Sequence, residues 1–181
     1  MCADSRTGSS DGPDWGGVDF SGLTVVLGVG TGRLIQLLNE QARASDGSLL
    51  VVSYRLDNLQ ALVPSMRDGP FTPVHARPRQ IPVLSEAVDL LVMSGVLREV
   101  PLRSLEKMLE EVWRVVIPGG KIRVCDIMEP SEAKYNEAWR QRSRIVRRVG
   151  RALDRPTALS VDLQAVSRAV RAVGFEDLAV S

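Results

Sequence analysis

The chain has 181 residues, 44% of them hydrophobic and 25% charged, which is enough for one globular domain with a core and too little for a second full one. A formal net charge of +1 gives no global electrostatic reason to expect nucleic acid or a membrane surface. Cys2 and Cys125 are too few for a disulfide framework, no apolar run approaches the ~20 residues that span a bilayer, and the N-terminus lacks the basic-then-apolar build of a signal peptide, so the composition points to a cytoplasmic protein.

Residues 1–17, rich in Ser, Gly and Asp, read as a flexible N-terminal tail, and residues 18–181 as the domain. Trp15 and Phe20 are the bulky anchors near this boundary and are expected to pack on the domain's edge. The stretch LTVVLGVGTGRLIQLL then combines a short apolar strand, Thr24 to Leu27, with a glycine turn and the start of a helix. Such a turn is a cradle for a ligand, because glycines bring backbone N–H groups close to a bound molecule and the helix start adds partial positive charge. Leu34, Ile35, Leu37 and Leu38 mark the helix's buried face, and Ser45-Asp46-Gly47 stops it. SLLVVSYR follows as a near-continuous apolar strand of the kind covered on both faces.

Asp57 and Gln60 fit a capping box that opens a second helix from about Asn58 to Met66. PVHAR is a short third strand ending near Arg77, and VDLLVMSG is the fourth. Pro101 begins an amphipathic helix with Leu102, Leu105, Leu109, Val112, Trp113 and Val116 at helical spacing, and Pro118-Gly119-Gly120 ends it ahead of a fifth strand, KIRVCDI. An arginine-dense helical segment comes next, with Arg140, Arg142, Arg144, Arg147, Arg148, Arg151 and Arg155. Ile145, Val146, Val149 and Leu153 are expected to turn one side of it to the domain. A last helix, Val161 to Val173, capped by Ser160, leads through Gly174 to a final strand, FEDLAVS. Strands alternating with helices predict an α/β fold, a doubly wound parallel sheet. There are no internal repeats, and no motif for a P-loop, a zinc site or a hydrolase elbow competes.

LGVGTGR, SEAVDLLVMSGVLREVP, EEVWRVVIPGGKIRVCDIMEP and AVGFEDLAV, in that order, resemble landmarks of the class I S-adenosylmethionine-dependent methyltransferases. The likeness is greatest to the small-molecule branch that includes the ubiquinone and menaquinone biosynthesis enzymes. It runs from about Asp19 onward. It implies a Rossmann-like sheet. Because nothing follows FEDLAVS, the expected sheet has six parallel strands in the order 3-2-1-4-5-6, without the family's seventh. Its last strand either pairs with strand five or leaves an edge that a second subunit can fill, giving a homodimer.

The same resemblance places Gly28, Gly30 and Gly32 beside the methionine part of S-adenosylmethionine and Arg55 at the ribose, with Thr31 and Tyr54 also counted as cofactor-binding. It places Arg77 at the adenine and Ser94 at the mouth of the cleft. Three positions depart from the pattern: Arg55 and Arg77 stand where the family has carboxylates, and Val26 replaces the acid before the glycine turn. A hydrogen bond to a charged acceptor contributes roughly 1.5–3 kcal/mol, so each loss weakens cofactor binding about tenfold to a hundredfold. Arg55 also fits the ribose-phosphate position of a dinucleotide site, but the turn is GVGTGR rather than GxGxxG. No catalytic base is identified. His75 reads as structural, and no metal-ligand cluster is present. Glu99 is the acid nominated near a substrate, with Tyr135 and Trp139 lining either a substrate pocket or a partner interface.

Two readings stay open at this point. One is an S-adenosylmethionine-dependent methyltransferase acting on a small molecule. The other is a methyltransferase-like scaffold that has lost donor binding and meets an acidic protein or other anionic partner through Arg140–Arg155.

Overall fold

The strand-helix alternation produces a single parallel sheet with helices on both faces. The computed structural model describes residues 15, 17–66, 68–127, 136–152, 158 and 160–176. In chain order the elements are β1 (Leu23–Leu27), α1 (Arg33–Ala44), β2 (Ser48–Ser53), α2 (Leu56–Leu62) with a 3-10 turn at Val63–Ser65, and β3 (Phe71–His75). They continue with β4 (Val88–Ser94), α3 (Leu102–Val115), β5 (Val116–Cys125), α4 (Glu137–Ala152) and α5 (Leu163–Val173). The strand order is β3-β2-β1-β4-β5, and every pairing is parallel. This is the expected Rossmann-like sheet, with five strands among the described residues. The sixth strand expected at FEDLAVS falls on residues 177–181, outside them, and residues 175 and 176 are not strand. Most of the predicted tail also lies outside, but Trp15 stacks edge-on against buried Phe20 at 5.5 Å and lies beneath the Arg123 guanidinium at 4.7 Å, a packing role at the edge of the domain.

Period-two alternation along the strands sends side chains to two separate cores. Val25, Leu27, Leu91 and Met93 meet Leu105, Met108, Leu109 and Val112 of α3 and Val166 and Val170 of α5. On the other face Val26, Val51, Leu90 and Val92 meet Ile35, Leu38 and Ala42 of α1 and Leu59 and Leu62 of α2. Each such aliphatic side chain, fully buried, contributes about 1.5–3 kcal/mol, and these two layers are what hold the strand ends in place.

Several sequence expectations need correcting. Asp57 is not a helix cap: α2 begins two residues earlier than predicted, at Leu56 with Arg55 at the cap position, and the Asp57 carboxylate accepts from Arg55 Nη2 at 3.2 Å. The third strand starts and ends earlier than PVHAR, and Arg77 lies two residues past it. The helix α3 stops at Val115, so Val116 belongs to β5. Trp113 is half exposed and packs edge-on against Phe175 at 4.8 Å, while Met108 takes the core position instead. Pro118, Gly119 and Gly120 do not precede β5; they lie within it, where the register jumps from Val88↔Val116 to Leu90↔Lys121. Asp162, not Ser160, caps α5, its carboxylate accepting from Gln164 N at 2.8 Å and Ala165 N at 3.2 Å. On α4 Ile145 and Val149 face solvent, and the packed side is made by Trp139, Val146 and Gly150. Leu153 and Arg155 lie outside the described residues, as does the side chain of Leu102.

Candidate functional site at the glycine turn

The carboxyl ends of β1, β2 and β4 converge at one edge of the sheet, which is where open parallel sheets bind ligands. Gly28 and Gly30 bend the chain out of β1 with φ of +84° and +53°, conformations that favour glycine. A second constraint acts on the same two residues. A Cβ on Gly28 would sit 2.5 Å from the Ser94 carbonyl oxygen, and one on Gly30 would sit 2.2 Å from Ser94 Oγ. The glycines therefore let the loop after β4 close down on the turn. The resulting cleft has a volume of about 80 Å³ and is lined by Gly28, Val29, Gly30, Tyr54, Asn58, Ser94, Gly95, Arg98 and Glu99, among others.

Ionic contacts reach this cleft at Glu99. Arg55, at the end of β2, donates to Asp57 at 3.2 Å and lies 3.9 Å from Glu99, which follows β4. Its own amide donates to the buried Ser53 hydroxyl at 3.1 Å, which fixes where the side chain starts. The Asp57 hydrogen bond, reinforced by the charges of Asp57 and Glu99, raises the Arg55 pKa above its ordinary value, so the guanidinium stays charged at any accessible pH. A second pair stands behind it. The Asp126 carboxylate, with 1% of its side chain exposed, accepts from Arg98 Nε, from Leu97 N at 3.1 Å and from Ile127 N at 2.8 Å. It thereby pins the loop after β4 to the end of β5.

Gly28, Gly30, Tyr54, Ser94 and Glu99 line the cleft together, and Arg55 lies 3.9 Å from Glu99. Thr31 and Gly32 sit in the same turn but do not line it. Arg77 is not there either. It lies in a separate, wider groove of about 890 Å³ with Tyr54, His75, Arg79, Glu111 and Arg114. Trp139 is half-buried on α4, and Tyr135 lies outside the described residues. Sequence reasoning missed Arg98 and Asp126 as a pair, because 28 residues separate them and only the adjacency of β4 and β5 brings them together. His75, read as structural, lines the wider groove, its Nε2 donating to the Tyr54 carbonyl at 2.9 Å. No group of three or more metal-ligating side chains occurs among the described residues.

Comparison with known proteins agrees with this architecture. Residues 25–124 match the methyltransferase domain family model. No curated protein sequence matches the chain. Among solved structures, a SAM-dependent methyltransferase from Methanosarcina mazei superposes with a TM-score of 0.66 at 13% identity, over 86% of this chain and 80% of that one. An arsenic(III) S-adenosylmethionine methyltransferase from Chlamydomonas reinhardtii gives 0.65 at 18% identity, over 89% and 54%. The [4+2]-cyclase SpnF gives 0.63 at 15% identity, over 86% and 51%. The chain thus spans about half the length of the last two, and at these identities the likeness concerns the fold.

Proposed function

The chain belongs to the methyltransferase domain family, and on that premise we propose that it is a methyltransferase-like binding module that does not use the methyl donor. The single observation that carries this reading is that Arg55, paired with Asp57 and 3.9 Å from Glu99, stands beside a cleft of only about 80 Å³ that Glu99 lines. Small-molecule sites commonly enclose about 300–1,000 Å³. The family uses S-adenosylmethionine, and the residues present do not fit that molecule. A ribose diol needs an acceptor at the end of β2, where Arg55 offers only donors and has already engaged the two nearby carboxylates. The sulfonium is a cation and would meet the guanidiniums of Arg55 and Arg98 at close range. Gly28 and Gly30 of the turn do not argue the other way, since both are needed for the approach of Ser94.

The binding role is assigned to α4. Its arginines at 140, 144, 147, 148 and 151 share one side at helical spacing, with Glu137 as the acid of the helix. Ile145, 62% exposed, and Val149, 50% exposed, lie on an adjoining face. This combination suits an acidic protein partner with an apolar contact beside the charged one.

The test is calorimetric titration with S-adenosylmethionine and S-adenosylhomocysteine. We expect no saturable binding up to millimolar ligand. Micromolar affinity for either would overturn the reading and restore an active methyltransferase with a small-molecule substrate.

A further inference from the structure

The wider groove beyond the β3 edge is absorbed neither by the cleft nor by α4. Its volume, about 890 Å³, is that of a small-molecule site. It is bounded by the ends of β2 and β3 on one side and by α3 on the other, with Ile81 and Pro82 in its wall. Three arginines line it, and they are not equivalent. Arg114 is spent on structure: Nε and Nη2 each donate to Glu111 at 2.8 Å, and the remaining donors reach the Ile81 and Val83 carbonyls and the Ser85 hydroxyl at 3.1–3.2 Å. That clasp also neutralises Glu111, the acid of the groove.

Arg77 and Arg79 differ. They flank Pro78 in a turn closed by Gln80 N donating to the Arg77 carbonyl at 2.9 Å, which sets both side chains off one short, proline-stiffened segment. Both are exposed, both line the groove, and neither has a side-chain partner among the described residues. Two unspent guanidiniums two residues apart on one turn, both lining one groove, suit two adjacent oxyanions, since each guanidinium can grip an oxyanion by a pair of parallel N–H donors. A single carboxylate would occupy only one of them.

We propose that this groove is a binding site for a small molecule carrying a diphosphate group, held by Arg77 and Arg79. The site is separate from the cofactor cleft: Arg77 and Arg79 do not line that cleft, and Tyr54 is a residue the two share.

Inorganic pyrophosphate is the probe. Titrated into the full chain at low salt, it is expected to bind saturably with a Kd below 1 mM, and S-adenosylhomocysteine is expected not to compete. Arg77→Ala with Arg79→Ala should weaken binding at least tenfold without lowering the melting temperature of the free protein, since neither side chain holds anything in place. The control, Arg168→Ala with Arg171→Ala on α5, removes the same charge elsewhere and should leave the affinity within twofold. Absence of saturable binding at 10 mM overturns the proposal. So does an equal loss in the α5 pair, which would mean attraction to net charge rather than a site.

Discussion

Gly30 shows how a residue type that suggests a ligand can be required by the fold. Its φ of +53° and the Ser94 hydroxyl lying 2.2 Å from where its Cβ would be are independent demands, and they can be separated. Gly30→Ala should destabilise the protein by about 2–4 kcal/mol, combining a left-handed backbone cost of roughly 1 kcal/mol with overpacking. In a Ser94→Ala background the overpacking part is relieved, so the same change should cost only about 1 kcal/mol. Urea unfolding of the four proteins measures this. Equal costs in the two backgrounds would mean that Ser94 does not press on the turn, and that the glycine is kept for some other reason. Arg55 raises the same question in electrostatic form. A carboxylate-poor rim was readable from the sequence as a departure, but what the arginine does instead, bridging to Asp57 and Glu99, depends on where three chain segments meet.

Elements rich in local signal were legible: the amphipathic stripe of α3, the stop of α1 after Ala44 and the apolar runs of β1, β2 and β4 all follow from period and turn chemistry. The failures share one cause, which is competition between local candidates decided by tertiary contacts. Asp57 and Ser160 are both plausible caps by residue type, yet Asp57 is drawn to Arg55 and Asp162 has the geometry to cap α5. Ile145 and Val149 follow a helical repeat, yet the body of the protein meets the neighbouring face of α4. The connection between β3 and β4 is anchored on α3 by contacts that no local sequence signal shows. Glu111 accepts there from Ile81 N at 2.7 Å and twice from Arg114, and the Arg114 hydrogen bonds, followed by that of the Ile81 amide, hold its carboxyl below its ordinary pKa of 4.5. A lowered carboxyl pKa gives stability that is complete above the unfolded value and is lost as pH falls through the folded one. Glu111→Gln should therefore cost about 1–2 kcal/mol at pH 7, and the gap from the parent protein should narrow once the pH drops well below 4.5. Urea midpoints at neutral and acid pH decide it, and a gap that stays constant would mean the carboxylate charge contributes nothing to the clasp.

At the scale of the molecule, a sheet with two well-filled cores presents strand ends whose positions are fixed, so whether a ligand enters depends on the groups that cross between those ends. The sheet order and its two cores were legible because apolar runs write themselves into the strands; the pairing of Arg55, after β2, with Glu99, after β4, 44 residues further on, was not. If that pairing is what excludes the donor, reversing the charge at one end should open the site. Arg55→Asp sets three carboxylates facing one another, which repel across the rim, and supplies the acceptor that a ribose diol requires. The ion pairs given up are weak, since the Asp57 side chain is 60% exposed, and the fold should lose no more than about 1 kcal/mol. Affinity for S-adenosylhomocysteine should rise by roughly 10- to 100-fold, the worth of a hydrogen bond to a charged acceptor. Arg77→Asp is the sharper comparison, because sequence position alone would give it the same effect, whereas Arg77 lines the outer groove and its reversal should leave that affinity unchanged. Calorimetry on the two variants separates the explanations. A gain confined to Arg55→Asp assigns the block to the bridge, an equal gain from Arg77→Asp would place both arginines at the donor, and no gain from either would mean that the close seating of Ser94 on the glycine turn shuts the cleft without help from charge.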